Sequence, residues 1–576
     1  MKNLRLLATA TACALALATA FLAASCSKTP APEAFTAQLD NIDGAMAFYS
    51  LQHPKLISQG VNKLIAEVPD AAPLNMVLAL YGGQLGYPEF TEIAAGTNIG
   101  IYQPVMSLDE LKHGAAPAFI LFVKLKENGK IWNLLVRQRH LKTQKQGDWT
   151  MFAKSTADFD AVKNPDAIIA RLSTPQAETL RAWLCLDGET AAAYKTLITD
   201  AIANALDHGA LPDAEKTAFA AYARALLGDI LDSTHSGNIT LNLGDTGATL
   251  AYGAQFKPDT PIGIFNRYRS GATPDIASYI TNDALLTATF RYTPKAGKDL
   301  SDHMLDLLLK VDYPPISDPL AKFHKDFSLF WEQMDGCGAM TFTQNFGTTN
   351  PRMPYADTFV AYSGKFDRQT SRQYMQFTVD LAQKLATNML DLISKRLAGI
   401  RAENLPRISI TGSTDALTVA GVNFDAMTMN ITGGAKDIHI PAQTTYFGVA
   451  NGNFISASNE ATLQKRLPAL LAKKVQPGNI AAANPLRPYD IMSMSVNGAA
   501  LTDMACSAAR IDQTDTDAQA TIADIKDSYQ QSGPARLAIE ARQAALTLKV
   551  DIPYKFISAS VKLARYVYSA SKAAGE

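Results

Sequence analysis

The stretch DSTHSGNITLNLGDTGATLAYGAQFKPDTP, from Asp232 to Pro261, returns in altered form as DSYQQSGPARLAIEARQAALTLKVDIP, from Asp527 to Pro553. Both open on Asp-Ser, pass through Ser-Gly, and end on proline after two alternating runs. Ile239, Leu241 and Leu243 alternate with Thr240 and Asn242; Leu537 and Ile539, then Leu546, Leu548, Val550 and Ile552, repeat the pattern. Side chains of a strand point to opposite faces in turn, so a period of two predicts strands with one buried face. Two such strands across a short turn form an antiparallel hairpin.

The likeness extends backwards from these hairpins. AFILFVKL from Ala118 parallels TFVAYSGKF from Thr358, and GDWTMFAKSTADF from Gly147 parallels GNFISASNEATL from Gly452. LCLDGETAAAYKTLI from Leu184 parallels MSVNGAALTDMACSA from Met494, and DGAMAFYS from Asp43 parallels DALLTATF from Asp283. The shared order predicts an internal duplication, with a first repeat over 36–265 and a second over 275–576. A wider spacing in the second copy predicts a helix-hairpin insertion near 369–425. There, Tyr374, Phe377, Leu381, Leu385, Met389 and Leu392 recur every three or four residues, the spacing of an amphipathic helix. Gly399 supplies a stop, and RISITGSTDALTVAGV from Arg407 reads as another hairpin. Further helices are predicted over 54–68, 157–172, 189–206, 213–231, 298–311, 461–470, 518–529 and 555–568. The fold expected is α+β: two duplicated lobes with largely antiparallel sheets and packed helices.

The N-terminus carries an address. Lys2 and Arg5 precede an apolar run from Leu6 to Leu22, the pattern of a secretory signal over 1–25. Ala23-Ala24-Ser25-Cys26 then resembles the lipobox of bacterial lipoproteins, although Ala23 stands where Leu is commonest. The resemblance implies that Cys26 is the lipidation site and becomes the first residue of the mature chain. Two or more acyl chains hold a protein stably at a bilayer. The prolines Pro30 and Pro32 make 26–35 an extended lipidated tether. Ser27 in place of an Asp after the cysteine implies the outer membrane. The repeated α+β body resembles uncharacterised repeat-containing envelope lipoproteins of Gram-negative bacteria, a likeness of architecture that carries no activity.

Composition sets further bounds. Of 576 residues, 47% are hydrophobic and 19% charged, ample for large cores. Basic and acidic residues nearly cancel at 53 against 54, which gives no pull toward nucleic acid. Once Cys13 leaves with the signal and Cys26 takes lipid, Cys185, Cys337 and Cys506 remain. Three sparse cysteines make no disulfide scaffold, and the sequence leaves open whether two of them pair.

Chemistry-bearing motifs are scarce. The eight histidines include no zinc-protease pair, and the chain has no Cys-x-x-Cys, phosphate-binding loop or Gly-x-Ser-x-Gly elbow. Asp232, Ser233, His235 and Ser236 lie together, but the parallel stretch at Asp527 lacks the histidine; a helix-end turn is the expectation. Ser569 and Lys572 form a chance Ser-x-x-Lys at the tail. Asp512, Asp515 and Asp517 suit a helix N-cap better than calcium. Lys124, Lys126, Lys130, Arg137, Arg139, His140, Lys142 and Lys145 read as a basic hairpin with a solvated face. Phe323, Phe327, Phe330, Trp331 and Met334 read as a core-facing helical stripe.

No catalytic residue, cofactor or metal site is therefore assigned. The expectation is a lipid-anchored cell-envelope protein acting as a non-enzymatic binding or scaffolding module for a protein or envelope ligand, with a cleft between lobes as its site. The alternatives are a periplasm-facing carrier of an apolar ligand or lipid, and a hydrolase whose site is assembled between lobes.

Overall fold

The structure, a computed structural model, describes residues 44–68, 71, 76, 90–105, 118–186, 192, 196, 213–265, 275–310, 317–318, 321–322, 324, 330–346, 354–396, 407–433, 440–509, 511, 515–542 and 545–573. The signal, the tether, Cys26, Asp512, Phe323 and Phe327 lie outside these, as does nearly all of the predicted helix 189–206.

The chain is α+β. Its strands are β1 (Ala45–Leu51), β2 (Ile99–Pro104), β3 (Ile120–Val123), β4 (Lys142–Gln146), β5 (Trp149–Ala153), β6 (Leu180–Cys185), β7 (Thr234–Leu243), β8 (Gly247–Phe256) and β9 (Leu286–Arg291). There follow β10 (Met334–Phe346), β11 (Pro354–Gly364), β12 (Arg407–Val419), β13 (Val422–Thr432), β14 (Ile440–Ala450), β15 (Asn453–Ala457), β16 (Asp490–Val496), β17 (Ala535–Arg542) and β18 (Ala545–Pro553). All 18 join one sheet. Its order is β4-β5-β3-β2-β1-β6-β7-β8-β18-β17-β16-β9-β10-β11-β15-β14-β13-β12, every neighbouring pair antiparallel.

That order reads alike in both directions from the β8–β18 ladder. β7, β6, β1, β2, β3, β5 and β4 run outward on one side; β17, β16, β9, β10, β11, β15 and β14 run outward on the other. The paired sequence stretches occupy matching places: β3 with β11, β5 with β15, β6 with β16, β1 with β9. The extra β12 and β13 lengthen only the second side. Where separate sheets were expected, nine residue pairs from Gly247↔Pro553 to Gln255↔Ala545 splice the two sides into one.

The principal helices are α1 (Pro54–Glu67), α2 (Pro165–Ser173), α3 (Asp213–Ser233), α4 (Pro294–Leu309), α5 (Arg368–Arg396), α6 (Glu460–Leu471), α7 (Gly498–Ala508), α8 (Thr516–Ser532) and α9 (Tyr554–Ala573). Short polar side chains set their starts. Asn164, Asn459 and Asn497 accept from backbone N–H groups of the first turns of α2, α6 and α7, and Asp515 does so for α8. The predicted helix over 157–172 is two pieces, because Asn164 caps a fresh helix whose first residue is Pro165.

Two apolar cores flank the sheet's outer thirds on one face. Phe48, Tyr102, Ile120, Phe122, Met151 and Trp183 pack with Ile168 and Leu172 of α2. Ala339, Phe359, Ala361 and Ile455 pack with Leu463, Leu467 and Leu470 of α6. On the opposite face α5 lays Met375 and Val379 over Ile410, Phe447 and Phe454. Near the middle of the sheet the expected polarity is reversed. Ser236, Asn238 and Thr240 of β7, and Arg536 and Glu540 of β17, are buried. Ile239, Leu241, Leu537 and Ile539 are only half-buried. The polar side wins burial on β17 because β16 and the segment before it supply partners: Arg536 donates to the Pro485 carbonyl at 2.8 Å and to Ser493 Oγ at 2.9 Å.

Candidate functional site

A recess lies within the first side of the sheet, away from the β8–β18 splice. Its volume is about 510 Å³, and it is lined by Tyr49, Ile101, Phe119, Leu121, Leu141, Phe152 and Lys154. The register builds it. Tyr49 stands opposite Ile101, Ile101 opposite Leu121, and Leu121 opposite Phe152, a row crossing β1, β2, β3 and β5. Lys154 follows Phe152 by two residues and so continues the same face. This is the face opposite the Phe48–Tyr102–Phe122 core.

A short helical segment bounds the recess. Residues Lys130–Trp132 and Asn133–Gln138 form consecutive α and π turns. The expected basic hairpin is thus corrected: a helical segment separates the cations, and only Lys142–Gln146 is strand. Ile131, Trp132, Leu135 and Val136 face Phe152, Val123 and Leu121, and burying these apolar side chains is what favours helix here. Trp132 meets Phe152 edge-on with centroids 5.5 Å apart. Glu92 anchors the helix start, accepting from the Lys130 N–H at 2.8 Å and the Ile131 N–H at 2.6 Å. Gly129 leaves room for it, since a Cβ there would lie 2.7 Å from Glu92 Oε2.

On the second side the corresponding row is Ala288, Met340, Val360, Ser456 and Phe447. Ala288 is fully buried, α7 packs against β10, and α5 packs against β14. Tyr and Phe in the first row thus correspond to Ala and Ser in the second.

The electrostatics of the recess are simple. Lys124 pairs with Asp148 at 2.9 Å, and Lys145 pairs with Glu127. The hydrogen bond from Lys124 holds the Asp148 carboxyl below its usual range. Among the described residues Lys154 has no carboxylate partner, and no acid lines the recess.

The sequence-singled residues are dispersed. Helix α3 passes straight into β7, which puts His235 and Ser236 on a strand and leaves no separate turn at Asp232. Asp515 caps α8, its carboxylate accepting from the Asp517 N–H at 2.9 Å. Ser569 and Lys572 are exposed on α9. Phe330 and Met334 are buried together in the α5 core. Cys185, Cys337 and Cys506 are all free, so none of them pairs. His324 Nε2 lies 3.1 Å from both Ser301 Oγ and Asp302 Oδ1. One nitrogen facing both groups cannot relay a proton between them. Among the described residues no cluster of His, Cys, Asp or Glu is arranged to hold a metal.

Sequence reasoning missed Tyr49, Ile101, Leu121 and Phe152. Tyr49, Leu121 and Phe152 sat in stretches that recur between the two halves, whereas Ile101 sat in none, and no pattern along the chain announces that four strands will align these four residues. No protein-family model matches the chain, and no curated protein or solved structure matches it.

Proposed function

We propose that the chain is a lipid-anchored, non-enzymatic binding module of the bacterial cell envelope, tethered through Cys26 and taking an apolar ligand in the Tyr49–Ile101–Leu121–Phe152 recess. The recess carries this reading. Its volume falls within the range of about 300–1,000 Å³ usual for small-ligand sites. Its lining is almost wholly hydrocarbon, and burial of apolar surface is worth about 25 cal/mol per Å². Phe119, 48% exposed, keeps one wall in reach of solvent. We also read the body as two tandem copies of one α+β unit, over 36–265 and 275–576, a reading supported by the matching strand orders. In this reading the second copy has closed the face that the first uses. Among the described residues no helix is long and apolar enough to cross a membrane.

Two measurements test the proposal. Purified mature protein should enhance the fluorescence of an apolar reporter dye, and Leu121→Asp should abolish this while the circular dichroism spectrum stays unchanged. Undiminished enhancement in Leu121→Asp would move ligand binding elsewhere. Intact-mass analysis should find the mature N-terminus at an acylated Cys26; a free thiol there would remove the anchor.

A further inference from the structure

We infer that the recess selects a single-chain amphiphile with an anionic head, and that Lys154 is the cation that meets the head. The inference rests on the apolar-ligand reading above and adds to it a charge requirement. Tyr49, Ile101, Leu121 and Phe152 offer a continuous hydrocarbon strip across four strands. Lys154 stands at the end of that strip, on its face, and is exposed. The neighbouring ammonium groups are already neutralised, Lys124 by Asp148 and Lys145 by Glu127, so Lys154 keeps its charge available to a ligand.

The one charged group of the lining is a donor, and the one hydroxyl is able to donate. Lys154 can only donate hydrogen bonds, and the Tyr49 hydroxyl, without a partner among the described residues, can donate another. No carboxylate lines the recess, so nothing there would attract a cationic head. A neutral tail alone would use the strip and leave Lys154 idle. A volume of about 510 Å³ fits one alkyl chain. Each buried CH₂ contributes about 0.8 kcal/mol, so the tail supplies affinity and the head supplies selection. A long-chain carboxylate and a single-chain alkyl phosphate share this chemistry.

The test is displacement of a fluorescent fatty-chain reporter from the purified mature protein by palmitate, its methyl ester and hexadecyl phosphate. An anionic competitor should displace at a concentration about fivefold below the ester, the scale of an exposed ion pair. Lys154→Gln should erase that difference by raising the concentration at which the two anions displace about fivefold. Preference for palmitate alone, or for the phosphate alone, supports the inference and names the head group. Ester and anions displacing equally from the unmodified protein, with Leu121→Asp blocking all three, overturns the charge requirement and leaves the apolar site standing. Displacement by none of them overturns both.

Discussion

Arg536 donates to Asp490 Oδ2 at 2.6 Å inside the sheet, and both side chains are withdrawn from water, Asp490 completely. The second carboxylate oxygen, Oδ1, has no hydrogen-bond partner among the described residues. Arg291 braces the same corner, donating to the Asp490 carbonyl at 3.0 Å. Removing one member of a buried pair strands the other charge, at a cost of about 3–5 kcal/mol. Asp490→Ala should therefore lower the unfolding free energy, read by denaturant titration, by that amount. A change under 1 kcal/mol, roughly the value of an exposed pair, would show that the pair is hydrated in solution.

Burial raises the Asp490 carboxyl above its ordinary value, more than Arg536 lowers it. A raised acid holds its proton more tightly in the folded chain. Its contribution is fully present below the ordinary aspartate pKa and is lost as pH rises through the folded value. Asp490→Asn, which cannot ionise, should thus lose less stability than Asp490→Ala. Its stability relative to the unmodified protein should rise with pH across the acid range. Paired urea titrations at several acidic pH values read this directly, and a flat difference would contradict it.

Phe152 is almost fully buried beneath Trp132 and forms the floor of the recess. Phe152→Ala should cost about 3–5 kcal/mol and enlarge the recess. Reporter affinity should change together with stability, because one side chain serves both. A stability loss with unaltered reporter binding would place the ligand elsewhere.

Gly336 sits at φ +79°, in the bulge where β10 begins, and its carbonyl accepts from the Tyr292 N–H at 2.7 Å. A Cβ there would fall 1.7 Å from the Tyr292 carbonyl oxygen. Gly336→Ala should destabilise by more than about 1 kcal/mol, since strain adds to the clash. Thermal melting checks it, and an unchanged midpoint would mean that the bulge relaxes freely.

Burial pushes the phenols of Tyr362, Tyr529 and Tyr554 up to about 12. In the unfolded chain a tyrosine ionises near pH 10. The neutral folded form is therefore favoured below that value, and the advantage is lost as pH rises from about 10 to 12. Alkaline titration should show these tyrosines ionising late, together with loss of near-ultraviolet dichroism. Early, complete tyrosinate formation with the fold intact would refute the burial of all three.

Much of this architecture was legible along the chain because strands and helices declare themselves within a few residues. The alternation around Ile239 and Leu548 announced the β7–β8 and β17–β18 hairpins. The spacing of Tyr374, Phe377 and Leu381 announced α5. Asp515 was legible as a cap because its target N–H lies only two residues on. The period of two also misled. It marked Ile239 and Leu537 as the inward side, whereas Asn238 and Arg536 are the more buried ones.

By itself the sequence determined the element types, the α+β class, the order of the paired stretches and the place of the extra helix and hairpin, all consequences of local periodicity and local hydrogen bonding. Only the tertiary structure decided that Gly247 would meet Pro553, that Tyr49, Ile101, Leu121 and Phe152 would form one row, and that a recess would lie beside them. Alternation specifies which way a side chain points, but every strand offers two edges of equivalent donors and acceptors. Which edge meets which is settled by packing among residues hundreds of positions apart, and no window along the chain contains that information.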